Sequence, residues 1–215
     1  MSRGKGANLQ LNIELEIRDR NGKIITKKRQ VSKSLLKNFL AFLRTSFSVV
    51  INSGTTSVTL KDTSGANKSF YVCIYFTSIS VPVVHTPMPT LAGGSDANYG
   101  IQIGRGDTAV TRDDFQLATL ITEGTGVNQM NYGAMTVEAV NGTPPQSMFR
   151  LIRVITNNSA ATITVKEIGL VMGNRIDNSV TQTAYLMIAR DVLTSPIDVP
   201  VGSTLTVRYI FSVTA

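Results

Sequence analysis

The sequence predicts a mainly β protein: an antiparallel, jelly-roll-like β-sandwich that opens with a β-hairpin and one short amphipathic helix. Three observations carry this. Residues 9–17 (LQLNIELEI) alternate apolar and polar without a break, as a half-buried strand requires. Comparable segments recur to the end of the chain, separated by turns rich in Gly, Asn and Pro. Neither a βαβ rhythm nor an internal repeat of fixed period interrupts them.

The elements follow in order. Leu9, Leu11, Ile13, Leu15 and Ile17 share one face of the first strand, and Gln10, Asn12, Glu14 and Glu16 share the other. Asn21-Gly22 is a hairpin turn signal, so KIITKKRQV is read as the return strand. The period then changes. Leu35, Leu36, Phe39, Leu40 and Leu43 recur at helical spacing, with Ser32 or Ser34 as the cap, which predicts an amphipathic helix near 33–46. TSVTLKD and KSFYVCIYF flank the turn TSGAN, and VPVVHTPMPTLAGGSDAN is a long loop. Strands are expected at YGIQIG, GAMTVEAV, MFRLIRVIT, ATITVKEIGLVM and TAYLMIAR, with DFQLATLI as a turn leading into another. IDVPVGS is a turn launching the last strand, TLTVRYIFSVT, whose core face is Leu205, Val207, Tyr209, Phe211 and Val213.

Charge divides the chain into a basic N-terminal unit, 1–46, packed on or appended to a sandwich domain, 47–215. Residues 1–46 hold eleven Lys or Arg against three Asp or Glu, whereas 47–215 hold ten against eleven. Lys27, Lys28, Arg29, Lys33 and Lys37 are the densest cluster and the candidate patch for a subunit interface or a polyanion. Aromatic residues are not interleaved with it, so nucleic-acid contact, where it occurs, is expected to be non-specific. Charged residues are only 16% of the chain, against about 25% in typical domains. Ser, Thr, Asn and Gly take their place, a composition suited to packing against further copies because a buried charge needs a partner.

Chemistry is sparse. His85 is the only histidine and Cys73 the only cysteine, which removes the usual triads, an internal disulfide and a zinc site. Asp113-Asp114 are adjacent, so they do not face each other as a glycosidase pair would, and with Asp107 they lack EF-hand spacing. Arg105-Gly106-Asp107 spells an integrin-type tripeptide short enough to arise by chance. No enzyme, cofactor or metal is expected. MSRGKGANLQ has no apolar h-region, and no run is long enough for a membrane span, so neither a signal peptide nor membrane association is expected.

YGIQIGRGDTAVTRDDFQLATLI, ATITVKEIGLVM and LMIARDVLTSPIDVPVGSTLTVRYIFSVT, together with the opening hairpin and SLLKNFLAFL, resemble structural proteins of tailed bacterial and archaeal viruses. The resemblance covers about half the chain in separate pieces, and 47–98 has no counterpart in it. It implies a non-enzymatic virion component, made in the host cytoplasm, that self-assembles, decorates a capsid, or forms part of a neck or tail. Its partners would be further copies of itself and other virion proteins. A carbohydrate- or receptor-binding sandwich is the alternative, with Tyr99 and Tyr132 as the tyrosines near turns. Within the resembling segments, Gly104 and Gly106 are expected to take positive φ and re-aim the chain, and Gly169 to mark a bulge or close approach. Glu167 is expected to accept hydrogen bonds from a neighbouring loop, and Arg190-Asp191 to pair across an edge. All six are read chiefly as fold-making residues.

Overall fold

The computed structural model describes residues 8–47, 56–72, 74–75, 83–84, 90–175 and 183–214. Cys73 and His85 lie outside them. The described residues form a mainly β protein with one helix. The strands are β1 (Asn8–Arg18), β2 (Ile24–Val31), β3 (Thr56–Lys61), β4 (Asn67–Val72), β5 (Ile74–Tyr75), β6 (Val83–Val84), β7 (Gly100–Gly104), β8 (Thr122–Glu123), β9 (Gln129–Val137), β10 (Gln146–Thr156), β11 (Ile163–Arg175), β12 (Thr183–Val199) and β13 (Thr204–Thr214). The helix, α1 (Lys37–Phe47), falls between β2 and β3.

Two sheets make the sandwich. The larger has the order β2-β1-β13-β10-β9-β8 and the smaller β12-β11-β7, while β3-β4 and β5-β6 pair separately. Alternation dictates the interior. Leu11, Ile13, Leu15 and Ile17 of β1 lie beside Leu205, Val207 and Tyr209 of β13 and Leu151 and Ile155 of β10, all buried. They join one core with Ile101 and Ile103 of β7, Ile168, Leu170 and Met172 of β11, and Leu186 and Ile188 of β12. At the far end of β13 the interior opens: Phe211 is half-buried and stacks on Phe149 at 4.8 Å, and Val213 is exposed.

The N-terminal hairpin is part of this architecture. Gly22 takes φ +80° in the turn, and β1 then pairs with β13 along its whole length, from Asn8–Thr214 to Arg18–Thr204. An interior strand cannot be an appendage, so residues 1–46 and 47–215 share one sheet.

Two boundaries differ from the pattern-based expectation. The helix starts at Lys37, because Ser32–Leu36 is held extended against β12: Leu35 bridges Ala189 and the Leu36 amide donates to Ile188 O. The two serines donate to β12 instead of capping the helix. β12 does not stop near Arg190 but continues to Val199 through a wide bulge, in which Val165 faces Ile197 while Glu167 faces Val192. The bulge accommodates Pro196, which has no amide to give a ladder. The turn into β13 is Pro200–Ser203, with Gly202 at φ +73°.

Candidate functional site

The resembling segments converge on one joint beside β11 and β12. Glu167 is fully buried on the face of β11 turned away from the sandwich interior, under the irregular segment 105–121. Its Oε1 accepts from the Gly106 amide at 2.9 Å and the Thr119 amide at 2.8 Å, and its Oε2 accepts from the Ala118 amide at 3.1 Å. Arg190 Nε donates to Oε2 at 2.9 Å. The same guanidinium donates to Asp114 at 2.6 Å and to Thr108 O at 3.0 Å. Burial works against ionised Asp114, but the donors from Thr111 and Arg190 outweigh it and hold the carboxyl below its ordinary range. Arg190 is likewise opposed by burial and, on balance, raised by its two carboxylate partners. One ion-paired joint therefore pins a long loop to the outer face of the smaller sheet.

The glycines are explained by proximity. Gly104 and Gly106 are not among the residues with positive φ, contrary to the sequence expectation. A Cβ on Gly104 would lie 2.6 Å from Glu167 Oε1 and 2.7 Å from Thr119 O; one on Gly106 would lie 2.5 Å from both Glu167 Oε1 and Ala118 Cβ. The Glu167 side chain thus fills the space where these side chains would stand. At Gly169 a Cβ would meet Met187 at 2.8 Å and Leu117 at 3.0 Å. Leu117 lies in a small buried group with Leu36, Val171 and Met187, which seats the loop on the sheet.

Asp191 points to the other side of β12. It accepts from Ser32 Oγ at 2.8 Å, the Lys33 amide at 3.1 Å and Ser34 Oγ at 2.8 Å, with Tyr209 Oη at 3.5 Å. Burial pushes its carboxyl above the ordinary range, although each of these donors pulls it down. Burial also raises the Tyr209 hydroxyl strongly. Arg190 and Asp191 therefore do not pair with each other. One holds the 105–121 loop and the other holds the connector between β2 and α1.

The five cations of the basic cluster do not form one patch. Alternation along β2 sends Lys27 and Arg29 to the outer face of the larger sheet. Lys28 turns to the β12 bulge, donating to Ser195 Oγ at 3.0 Å and Pro196 O at 2.8 Å. Lys33 lines a groove of ≈ 380 Å³ between the connector, Val110–Arg112 and Val192, and Lys37 pairs with Asp113 at 3.4 Å. Asp107, Asp113 and Asp114 face three different sets of partners, since Asp107 bonds Lys166 at 2.8 Å. The Arg105-Gly106-Asp107 tripeptide is folded into the joint, not displayed.

A second joint was not anticipated. Arg153 is fully buried on the inner face of β10. It donates to five carbonyls: Gly133 at 2.8 Å, Tyr99 at 3.0 Å, Ile101 at 2.9 Å, Gly93 at 3.2 Å and Asp96. Its guanidinium also lies 4.7 Å from the Tyr132 ring centre. Burial lowers its affinity for a proton. The available signal was parity, because Arg153 falls on the same strand face as Leu151 and Ile155. Tyr132 is buried, donating to Ile121 O at 2.6 Å, and Tyr99 stacks on Tyr185 at 5.7 Å. Neither tyrosine of the carbohydrate reading is a free platform.

Together these groups fasten strand edges, loops and connectors. A scan of protein-family models, a search of curated proteins and a search of solved structures each returned no match to the chain.

Proposed function

We propose that the protein is a non-enzymatic structural component of a virus particle, one that self-assembles, decorates a capsid, or forms part of a neck or tail. A single observation carries the reading. The residues that resemble virion proteins, from Gly104 and Gly106 to Glu167, Arg190 and Asp191, are buried fasteners that fix a loop and a connector onto a β-sandwich. Their chemistry is architectural: carboxylates accept amide and hydroxyl donors, and a guanidinium bridges two carboxylates. The low charged fraction of the chain supports the same reading.

Sedimentation velocity and negative-stain microscopy of the purified protein test it. The expected result is concentration-dependent association into regular oligomers or larger particles. A strict monomer that turns over a small molecule, or binds a glycan through Tyr99, overturns it.

A further inference from the structure

The two faces of the smaller sheet are both covered, one by the larger sheet and the other by segment 105–121. The larger sheet has one covered face only. No described element packs on the face formed by Lys27, Arg29 and Val31 of β2, Glu14 and Glu16 of β1, Arg208 and Ile210 of β13, and Arg150 and Val154 of β10. We infer that this open face is a self-association surface, on which a second copy of the chain docks face to face. The inference rests on the structural reading above and specifies the partner.

Area is the first argument. The strands run about 11 residues, so the β2-to-β9 face measures roughly 35 Å by 19 Å, on the order of 650 Å². A standard interface buries about 800 Å² per partner, close to what this face offers once side-chain relief is included.

Charge arrangement is the second. Glu14 and Glu16 form an acidic column between cations on both sides. Lys27 lies 3.6 Å from Glu14 and 3.9 Å from Glu16, and Arg208 lies 3.0 Å from Glu14 and 3.8 Å from Glu16. Arg29 lines the ≈ 410 Å³ groove on this face and has no side-chain partner among the described residues. With both signs in parallel columns, a two-fold operation can set the cations of one copy against the acids of the other, as an isologous interface requires.

Composition is the third. Val31 and Val154 are 52% and 41% exposed here, yet Asn12, Thr206 and Ser212 between them are already buried. Short, ordered polar side chains beside exposed valines lose little entropy when covered.

Sedimentation equilibrium on wild type, Arg29→Glu, Val154→Glu and a control tests the inference, with circular dichroism reporting the fold of each. The control is Ala109→Glu, at an exposed position of segment 105–121. The wild type and the control should associate equally, and each face variant should weaken association at least about tenfold while keeping a β spectrum. Association unchanged in both face variants overturns the face and leaves the structural reading standing. A wild type that stays monomeric at every concentration overturns both. A monomer that loses heparin affinity on Arg29→Glu assigns the face to a polyanion and also overturns the inference.

Discussion

Asp191 shows how much of this fold rests on single buried polar groups. A carboxylate taken out of water is tolerated only when its oxygens are satisfied, and here Ser32, Lys33 and Ser34 supply the donors. Arg153 solves the same problem for a cation with five carbonyls, and Glu167 with three amides and a guanidinium. The Asp191 carboxyl nevertheless sits above its ordinary range because burial outweighs its donors. Its protonated form is therefore favoured in the folded state relative to the unfolded chain. That contribution is complete below the unfolded carboxyl value of about 3.9 and disappears as pH rises through the folded value. Asp191→Asn is neutral at every pH, and its amide can still meet Ser32 and Tyr209 as a donor. The stability advantage of wild type over Asp191→Asn should shrink between about pH 4 and about pH 7.5, measured by urea unfolding at both. An advantage that grows with pH would show that the donors dominate burial.

At the scale of elements, the features that matter are the strand edges. β12 would present a long row of unpaired groups, a template for unwanted pairing, had the N-terminal unit not covered it. Gln30 is the clearest device: its amide donates to Val192 O at 3.4 Å and accepts from the Thr194 amide at 3.2 Å, replacing a neighbouring strand with one side chain. Gln30→Ala should cost about 1–2 kcal/mol and speed hydrogen exchange at the Thr194 amide, with exchange at Leu151 changed only by the global loss of stability. Equal changes at both sites would mean that the seam opens only with the whole sandwich. Strand identity was legible because alternation is a local property, and β1, β10, β11 and β13 were all anticipated from it. The helix start and the length of β12 were not legible, because both depend on groups far away in sequence. Ser32 and Ser34 look like caps until Asp191 is placed beside them, and Pro196 looks like a strand breaker until Lys28 covers the bulge. At the candidate joint, the residue types at Glu167, Gly104, Gly106 and Arg190 were readable. The reason for the glycines was not, since the Glu167 side chain that excludes a Cβ comes from a strand about sixty residues later.

The whole molecule is organised around the strand that the charge distribution sets apart. β1 lies between β2 and β13, and its apolar residues contribute to the same core as β10, β11 and β12. The +8 excess of residues 1–46 is a chemical boundary without being a structural one, because charge is carried by the outer face of β1 and β2 while the inner face carries the fold. Removing residues 1–31 would expose the edge of β13 and uncover Leu205, Val207 and Tyr209. It would also leave β12 without Lys28 and Gln30 along its bulge. Burying an apolar side chain contributes about 1.5–3 kcal/mol, so losing Leu11, Ile13, Leu15 and Ile17 together removes about as much as a domain's entire net stability. A chain beginning at residue 32 should therefore fail to fold, giving a disordered circular-dichroism spectrum and rapid proteolysis, and the full chain should unfold in one transition seen alike by circular dichroism and tyrosine fluorescence. A truncated chain that keeps a cooperative β-sheet melt would show instead that residues 47–215 hold a core of their own and that the hairpin is an addition to it.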